Sequence, residues 1–209
     1  MKTRRFMFLM QGRPPVRFQI VIVSLAFFLL QSHAFAIERT PSQSQIEQAI
    51  NQGVTSARER VPPNQLYAWF GSDQDLEPKG FLMTKMNGLV VMACHFGLRG
   101  ETPGAEDIQR VLDEETMLVS VTMFGSTPAF AKDSYIVLKQ GDTLVKPVKV
   151  RFDAVAHRTQ AWPNTPRYQA KVIGSFNYDS FDPKAKTSII VFPSQGGEKS
   201  FEVVFSNIP

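Results

Sequence analysis

The sequence predicts an α+β protein in which an N-terminal helical portion packs on a C-terminal antiparallel, immunoglobulin-like β-sandwich. Apolar residues recur at helical spacing between positions 46 and 61. From position 117 onward, short β-branched and aromatic runs are separated by turn residues about every 8–12 positions, as in sandwiches and barrels. We therefore divide the chain into a helical and mixed portion, 37–116, and a sandwich portion, 117–209, and expect one compact unit.

Residues 1–36 have the three parts of a secretory signal peptide. This segment holds five basic and no acidic residues, an apolar run at Ile20–Leu30, and the small-x-small pattern of a cleavage site at Ala34–Ala36. Eleven residues of helix rise only about 16 Å, against a hydrocarbon core of about 30 Å. We expect a cleaved signal, no stable membrane span afterwards, and a periplasmic or secreted protein. The long basic region, with Pro14–Pro15, leaves an uncleaved anchor as the alternative.

The basic character of the whole chain comes from this signal. The chain holds 23 basic and 19 acidic residues, of which the first 36 residues hold five and none. The remainder therefore carries 18 basic and 19 acidic residues, a net charge of −1 with neutral histidines. Nucleic-acid binding would need Lys and Arg clustered on the folded part, so we expect no nucleic-acid partner.

The first helix is predicted to begin at Ser42, which fits a capping box with Gln45. Apolar residues then follow on one face, at Ile46, Ala49, Ile50, Val54, Ala57 and Val61. Gly53 weakens this helix by about 1 kcal/mol relative to Ala. Pro62–Pro63 stops it, and its apolar stripe predicts packing against the rest of the domain.

The pattern between 64 and 116 is less regular. The apolar residues of 66–70 favour one short helical turn, and Gly71–Gly80 is predicted to be an acidic loop. The apolar run in Phe81–Phe96 fits a buried strand or a buried helix, and its periodicity does not separate the two. A second helix is predicted from Thr102 to about Glu115, with Pro103 at its first position.

Short strands dominate the remainder of the chain. The predicted runs are Leu118–Phe124, Tyr135–Lys139, Val145–Phe152, Tyr168–Tyr178, Ser188–Phe192 and Phe201–Phe205. Turn residues at 140–142 and 195–198 predict hairpins. Gly174, inside a strand run, suggests a β-bulge, and Pro147 favours an edge position or a strand start.

Cys94, the single cysteine, and His157 are the candidate catalytic residues. A cysteine nucleophile needs a nearby base and an orienting partner, for which Asp153 or Asn164 would serve. His95 is poorly placed as that base if the segment is a strand, because adjacent side chains then point to opposite faces. The competing interpretation is that Cys94 is a small core residue.

Asp73, Asp75 and Glu77 are the candidate metal ligands, because carboxylates at alternate positions would present oxygens to Ca²⁺. The loop lacks the glycine and the distal glutamate of an EF-hand, so a solvated acidic loop is the competing interpretation. The two histidines outside the signal, His95 and His157, have no zinc-binding spacing. We expect no metal or other cofactor.

Trp69, Phe70 and Trp162 are the candidate binding residues. Trp69 and Phe70 precede the acidic loop, and Trp162 lies in a proline-rich loop. Loop tryptophans are common at recognition sites because they combine a large apolar area with a polar N–H group. The alternative is that both tryptophans close the ends of the core, since tryptophan is highly buried on average.

Three hypotheses of function remain. The first is a non-enzymatic extracytoplasmic domain that binds another envelope protein or an envelope component. The second is an extracytoplasmic hydrolase that uses Cys94 or His157. The third is a structural subunit of an envelope complex. The first is favoured, because the sequence contains no recognisable catalytic constellation whereas aromatic loops are present.

Overall fold

The structure is a computed structural model, and it describes residues 37–208. The predicted export signal, 1–36, lies outside the described residues. The mixed α+β class is confirmed: within 37–208 there are three α-helices and two antiparallel β-sheets. Among these residues, no helix combines the length and the apolarity that crossing a membrane would require.

The helix α1, Gln43–Arg58, begins as predicted. The Ser42 side chain accepts a hydrogen bond from the Gln45 N–H, and the Gln45 side chain accepts one from the Ser42 N–H. This reciprocal pair satisfies two N–H groups that helix geometry leaves without a partner. The helix ends before Pro62, and a short 3₁₀ turn follows at Pro63–Leu66.

The apolar run in Phe81–Phe96, which fitted either a strand or a helix, contains the end of a strand followed by most of a helix. Strand β1, Ala68–Gly71, is followed by β2, Lys79–Met83, and then by helix α2, Lys85–Leu98. Thr84 separates β2 from α2 and caps the helix by accepting the Asn87 N–H. The expectation of a helical turn at 66–70 is wrong for most of that range, because the 3₁₀ turn ends at Leu66 and β1 pairs with β2.

The predicted second helix is α3, Ala105–Leu112, and its start differs from the prediction. Pro103 precedes the helix, and Gly104 is the N-cap. The Gly104 N–H donates to the Asp107 carboxylate at 3.0 Å, so this side chain fixes the helix start two residues later than the proline signal indicated. The helix ends at Leu112, three residues short of the predicted end, and the chain enters the next strand at Thr116.

The remaining strands follow in chain order. They are β3 Thr116–Gly125, β4 Tyr135–Gln140, β5 Thr143–Val145, β6 Lys149–Phe152, β7 His157–Arg158, β8 Tyr168–Asn177, β9 Lys186–Phe192 and β10 Lys199–Val204. The first sheet has the order β1-β2-β3-β8-β6, and β7 also pairs with β8. The second sheet has the order β10-β9-β4-β5.

Both predicted hairpin turns are present, joining β4 to β5 and β9 to β10. The predicted run Val145–Phe152 is two strands in different sheets, with Pro147 between them. Proline supplies no N–H to a ladder, so the chain leaves one sheet here and joins the other.

The two sheets share one apolar core. Its fully buried side chains come from both sheets and include Leu82, Val119, Val121, Ile136, Leu138, Val172, Phe176, Ile189 and Val191. Ile37 also belongs to this core, with 1 % of its surface exposed, and its N–H donates to the Pro183 carbonyl. A second, smaller cluster joins α1 and α2 around Ile46, Ala49, Leu89 and Val90, with residues of α3 at its margin.

The predicted bulge at Gly174 is absent. The β3–β8 register runs without interruption from Thr116 opposite Asn177 to Gly125 opposite Tyr168. A Cβ atom on Gly174 would lie 2.7 Å from Cγ2 of Ile136 in the other sheet, and 2.8 Å from the Phe176 ring. The glycine is therefore required by the close approach of the two sheets and not by a ladder irregularity.

Candidate functional site

The first sheet presents one row of paired residues on the face away from the shared core. Trp69, Phe81, Ser120, Ile173 and Arg151 are successive cross-strand partners in this row. Residues paired in register share a face, and their sequence neighbours in the strands supply the core on the opposite face. We call this surface the outer face of the first sheet.

An aromatic cluster formed by Tyr67, Trp69 and Phe81 lies at one end of this row. The ring centroids are 4.4 Å apart for Tyr67 and Phe81, 5.4 Å for Trp69 and Phe81, and 6.0 Å for Tyr67 and Trp69. The indole N–H of Trp69 donates to the Asn64 carbonyl at 2.8 Å, which fixes the ring. Trp69 remains 44 % exposed, so the cluster is an ordered aromatic surface open to solvent.

Phe70 points away from the aromatic cluster. It is partly buried at the margin of the core, where its ring meets Phe201 edge to face at a centroid distance of 5.4 Å. Adjacent strand residues face opposite sides of a sheet, so Trp69 and Phe70 cannot contact one flat partner together. Atoms of both residues line a surface pocket of about 180 Å³ with Gly71, Ser72, Asp73 and Lys79. This volume is small beside the roughly 300–1,000 Å³ of typical ligand pockets.

Trp162 forms a separate feature. It lies in the loop between β7 and β8 and is 44 % exposed, the same fraction as Trp69. The Arg158 guanidinium lies 4.3 Å from its ring centroid, in a cation–π contact. Neither tryptophan belongs to either apolar core cluster.

Cys94 lies on α2 and has no exposed surface. Its thiol makes one hydrogen bond in the described part of the chain, to the Val61 carbonyl at 3.7 Å. Burial raises the pKa of the Cys94 thiol, which disfavours the thiolate that a nucleophile requires. His95 follows on the helix and is exposed, so its imidazole lies on a different face of α2.

His157 is not brought to Cys94 by any contact among the described residues. It lies exposed on β7, opposite Gln169, whereas Cys94 belongs to the helices. The Asp153 carboxylate accepts the Lys171 N–H at 2.8 Å, and exposed Asn164 lies in the Trp162 loop. The described part of the chain therefore does not bring these candidate residues together as nucleophile, base and orienting group.

We expect iodoacetamide at pH 8 to alkylate Cys94 of the folded protein at least about 100-fold more slowly than in urea. The thiol must be released by local opening before it reacts, and its raised pKa lowers the thiolate fraction further. Mass spectrometry of timed samples measures the rate. The matched control combines Cys94→Ala with His95→Cys, which moves the only thiol one position onto an exposed site and should react rapidly. Equal rates for Cys94 in the folded and unfolded protein would contradict the buried placement.

Asp73, Asp75 and Glu77 are all exposed in the loop between β1 and β2. Across residues 37–208, no three His, Cys, Asp or Glu side chains lie close enough together to hold a metal ion. The three carboxylates therefore do not converge on one point. The loop presents solvent-exposed negative charge next to Trp69.

A larger cleft was not anticipated from the sequence. It has a volume of about 370 Å³ and lies between the start of α2, the end of α3 and the outer face of the first sheet. Its charged residues are Lys85, Glu114 and Arg151, and its polar residues also include Tyr178, Thr84, Thr116 and Ser175. These residues are far apart in the chain and form no local motif, so only the strand register and the helix positions bring them together.

No protein-family profile matches the chain, and no curated protein is significantly similar to it.

Proposed function

We propose that this chain is an exported, non-enzymatic protein that binds another protein of the cell envelope through the aromatic cluster Tyr67–Trp69–Phe81. The proposal takes residues 1–36 as a cleaved signal and the periplasm or the exterior as the destination. It also takes the two sheets to form a sandwich of the immunoglobulin-like kind. Antiparallel pairing in both sheets and their common core support this last assignment.

The observation that carries the proposal is the ordered exposure of Trp69. Its ring is held by the Asn64 hydrogen bond and by two aromatic neighbours, yet 44 % of its surface remains open. Aromatic residues are enriched at protein interfaces, and a side chain that is already ordered loses little conformational entropy on binding. An aromatic surface that is held in place, and that no element within residues 37–208 covers, suits recognition better than core closure.

A protein partner fits this surface better than a small ligand. The neighbouring pocket of about 180 Å³ is too small to enclose a typical ligand, and the cluster itself is a surface of the sheet. A tryptophan flanked by two further rings and bordered by polar residues resembles the anchor of an interface, in which a few aromatic side chains dominate the binding energy.

Replacing Trp69 by alanine is expected to weaken partner binding at least about tenfold, because a central aromatic anchor is lost. The exported protein is immobilised and used to capture partners from envelope extract. The dissociation constant of a captured partner is then measured by biolayer interferometry for the original protein and the variant. Mass spectrometry of the bait identifies its N-terminal residue, which is expected to be Ile37.

The matched control is Trp162→Ala, because both tryptophans are 44 % exposed and only Trp69 belongs to the cluster. We expect the control to retain binding and both variants to stay folded in circular dichroism. A partner whose affinity is unchanged by Trp69→Ala, or falls equally with either substitution, would refute the assignment of the aromatic cluster.

A further inference from the structure

The cleft at the start of α2 has the size of a ligand site. Its volume of about 370 Å³ lies within the roughly 300–1,000 Å³ of typical small-molecule pockets. One wall is apolar and comes from Met83, Val111 and Leu118. Polar residues from the start of α2, from the turn after α3 and from strands β3, β6 and β8 line the remainder, and a mixed lining of this kind is usual for a binding site.

The charges in this cleft are unbalanced. Lys85 and Arg151 line it, and Glu114 is the only carboxylate among its described lining residues. Within 37–208, neither Lys85 nor Arg151 forms an ion pair. The Lys85 ammonium donates instead to the neutral Leu112 carbonyl at 2.6 Å. The lining therefore carries one net positive charge that the described part of the chain does not neutralise by direct contact.

Tyr178 supplies a neutral hydrogen-bond donor at the same place. It is 5 % exposed, and its hydroxyl oxygen accepts the backbone N–H of Lys85 at 3.0 Å. Burial raises the pKa of Tyr178 above its ordinary value, so the hydroxyl keeps its proton throughout the physiological range. The Tyr178 hydroxyl therefore adds a neutral donor to a cleft that two cations also line.

We propose that this cleft binds a small organic monocarboxylate with an apolar body. Lys85 and Arg151 bind the carboxylate, the Tyr178 hydroxyl donates to it, and Met83, Val111 and Leu118 contact the apolar body. The start of α2, which carries partial positive charge, adds to the attraction. The site is separate from the aromatic cluster, so it extends beyond the proposed protein recognition.

The single negative charge of the ligand follows from the lining. Two cations and one carboxylate are neutralised by a monoanion, whereas a phosphate ester with nearly two negative charges would leave a net negative charge in the cleft and would cost more to remove from water. Thr84, Thr116 and Ser175 also line the cleft, but the side chains of Met83, Val111 and Leu118 provide no hydrogen-bonding groups. A ligand that is polar along its whole length, such as a sugar, would lose water against this wall without compensation.

The test is isothermal titration calorimetry of the purified protein with sodium octanoate. We expect saturable binding that weakens about tenfold in Arg151→Gln and in Lys85→Gln, and that tightens severalfold in Glu114→Gln. Octanoate affinity that falls in two of these variants and rises in the third distinguishes charge recognition from a merely structural role of the residues. Melting curves confirm that each variant is folded at the temperature of the titration.

Arg158→Gln is the matched control, because Arg158 and Arg151 are both exposed and both lie on strands that pair with β8. Their partners on β8 are Tyr168 and Ile173, about 17 Å apart along the strand. Octanoate binding is expected to be unchanged in Arg158→Gln. It should also be unchanged in Trp69→Ala, so a failure of this proposal is distinguishable from a failure of the proposed function.

Three further probes identify the ligand chemistry. Octylamine and octyl phosphate should bind more weakly than octanoate. A short apolar peptide with a free C-terminal carboxylate, compared with its amidated form, tests whether the carboxylate comes from a chain terminus or from a free small molecule. The absence of octanoate binding at millimolar concentration, tighter binding of octyl phosphate, or indifference to all three charge substitutions would each overturn the proposal.

Discussion

Replacing Gly53 by alanine is expected to destabilise the protein by about 2 kcal/mol, although alanine is the better helix former. A Cβ atom at position 53 would lie 2.3 Å from the Val90 carbonyl oxygen, 2.6 Å from the Ala93 Cβ and 2.9 Å from the Cys94 N. Two of these neighbours are backbone atoms of α2, so the helices themselves would have to separate. The cost of overpacking, about 3 kcal/mol, exceeds the gain of about 1 kcal/mol in helix propensity.

Chemical denaturation with urea measures this effect, and the matched control is Gly88→Ala in α2. At position 88 the nearest atom to a new Cβ is the flexible Val111 Cγ1, at 3.0 Å. A side-chain methyl group can shift more easily than a backbone carbonyl. We therefore expect the free energy of unfolding of the control to change by no more than about 1 kcal/mol. Equal stabilities for Gly53→Ala and the original protein would show that α1 and α2 are not in the close contact described above.

Replacing Gly174 by alanine is expected to destabilise the protein by about 2–3 kcal/mol, because the new methyl group would enter the space between the sheets. The nearest atoms are Ile136 Cγ2 at 2.7 Å and the Phe176 ring at 2.8 Å. Phe176 and Ile136 are both fully buried, so neither side chain can turn into solvent to relieve the clash.

A double-mutant cycle with Ile136→Ala identifies the cause. The second substitution removes the Cγ2 methyl that meets the new atom, so the double variant should be at least about 1 kcal/mol more stable than the sum of the two single effects. If the effects of the two substitutions on the free energy of unfolding are additive, the loss of stability in Gly174→Ala arises within β8 and not between the sheets. Thermal and urea unfolding of the four proteins provide the measurement.

Local signals in the sequence were sufficient for α1 and for the two hairpins. The capping box at Ser42 and the glycine-containing turns act within a few residues, so the chain specifies them without reference to the rest of the fold. The mixed α+β class followed from these elements and from the alternation of later strands, such as β10.

Sequence periodicity failed at α2, in which most residues are buried or half-buried. Both faces of α2 are largely apolar because it packs on α1 and lies near β2 and α3, so no amphipathic stripe distinguished it from a strand. Thr84 with Asn87 was the missed cap signal, since an asparagine replaces the Glu or Gln of a capping box. Gly174 shows the same limit, because the close contact that requires a glycine there is made by Ile136, 38 positions away in the chain.

The aromatic part of the candidate site was accessible from the sequence, and the cleft was not. Trp69 could be identified by residue type alone, but its partner Phe81 required the β1–β2 register. The cleft combines Lys85, Arg151 and Tyr178, which are separated by tens of residues and are unremarkable individually. Their charge imbalance exists only after the sheet and the helices have assembled.

If residues 1–36 are removed as the proposed function requires, the burial of Ile37 makes the position of the cut a matter of stability as well as of transport. Its side chain fills core space, and its N–H reaches the Pro183 carbonyl. Cutting after Ala36 would keep this side chain and place the new ammonium group beside an oxygen acceptor. Cutting one residue later would remove a buried isoleucine and leave a cavity, so the peptidase that processes the precursor would also decide whether the folded body is completely packed.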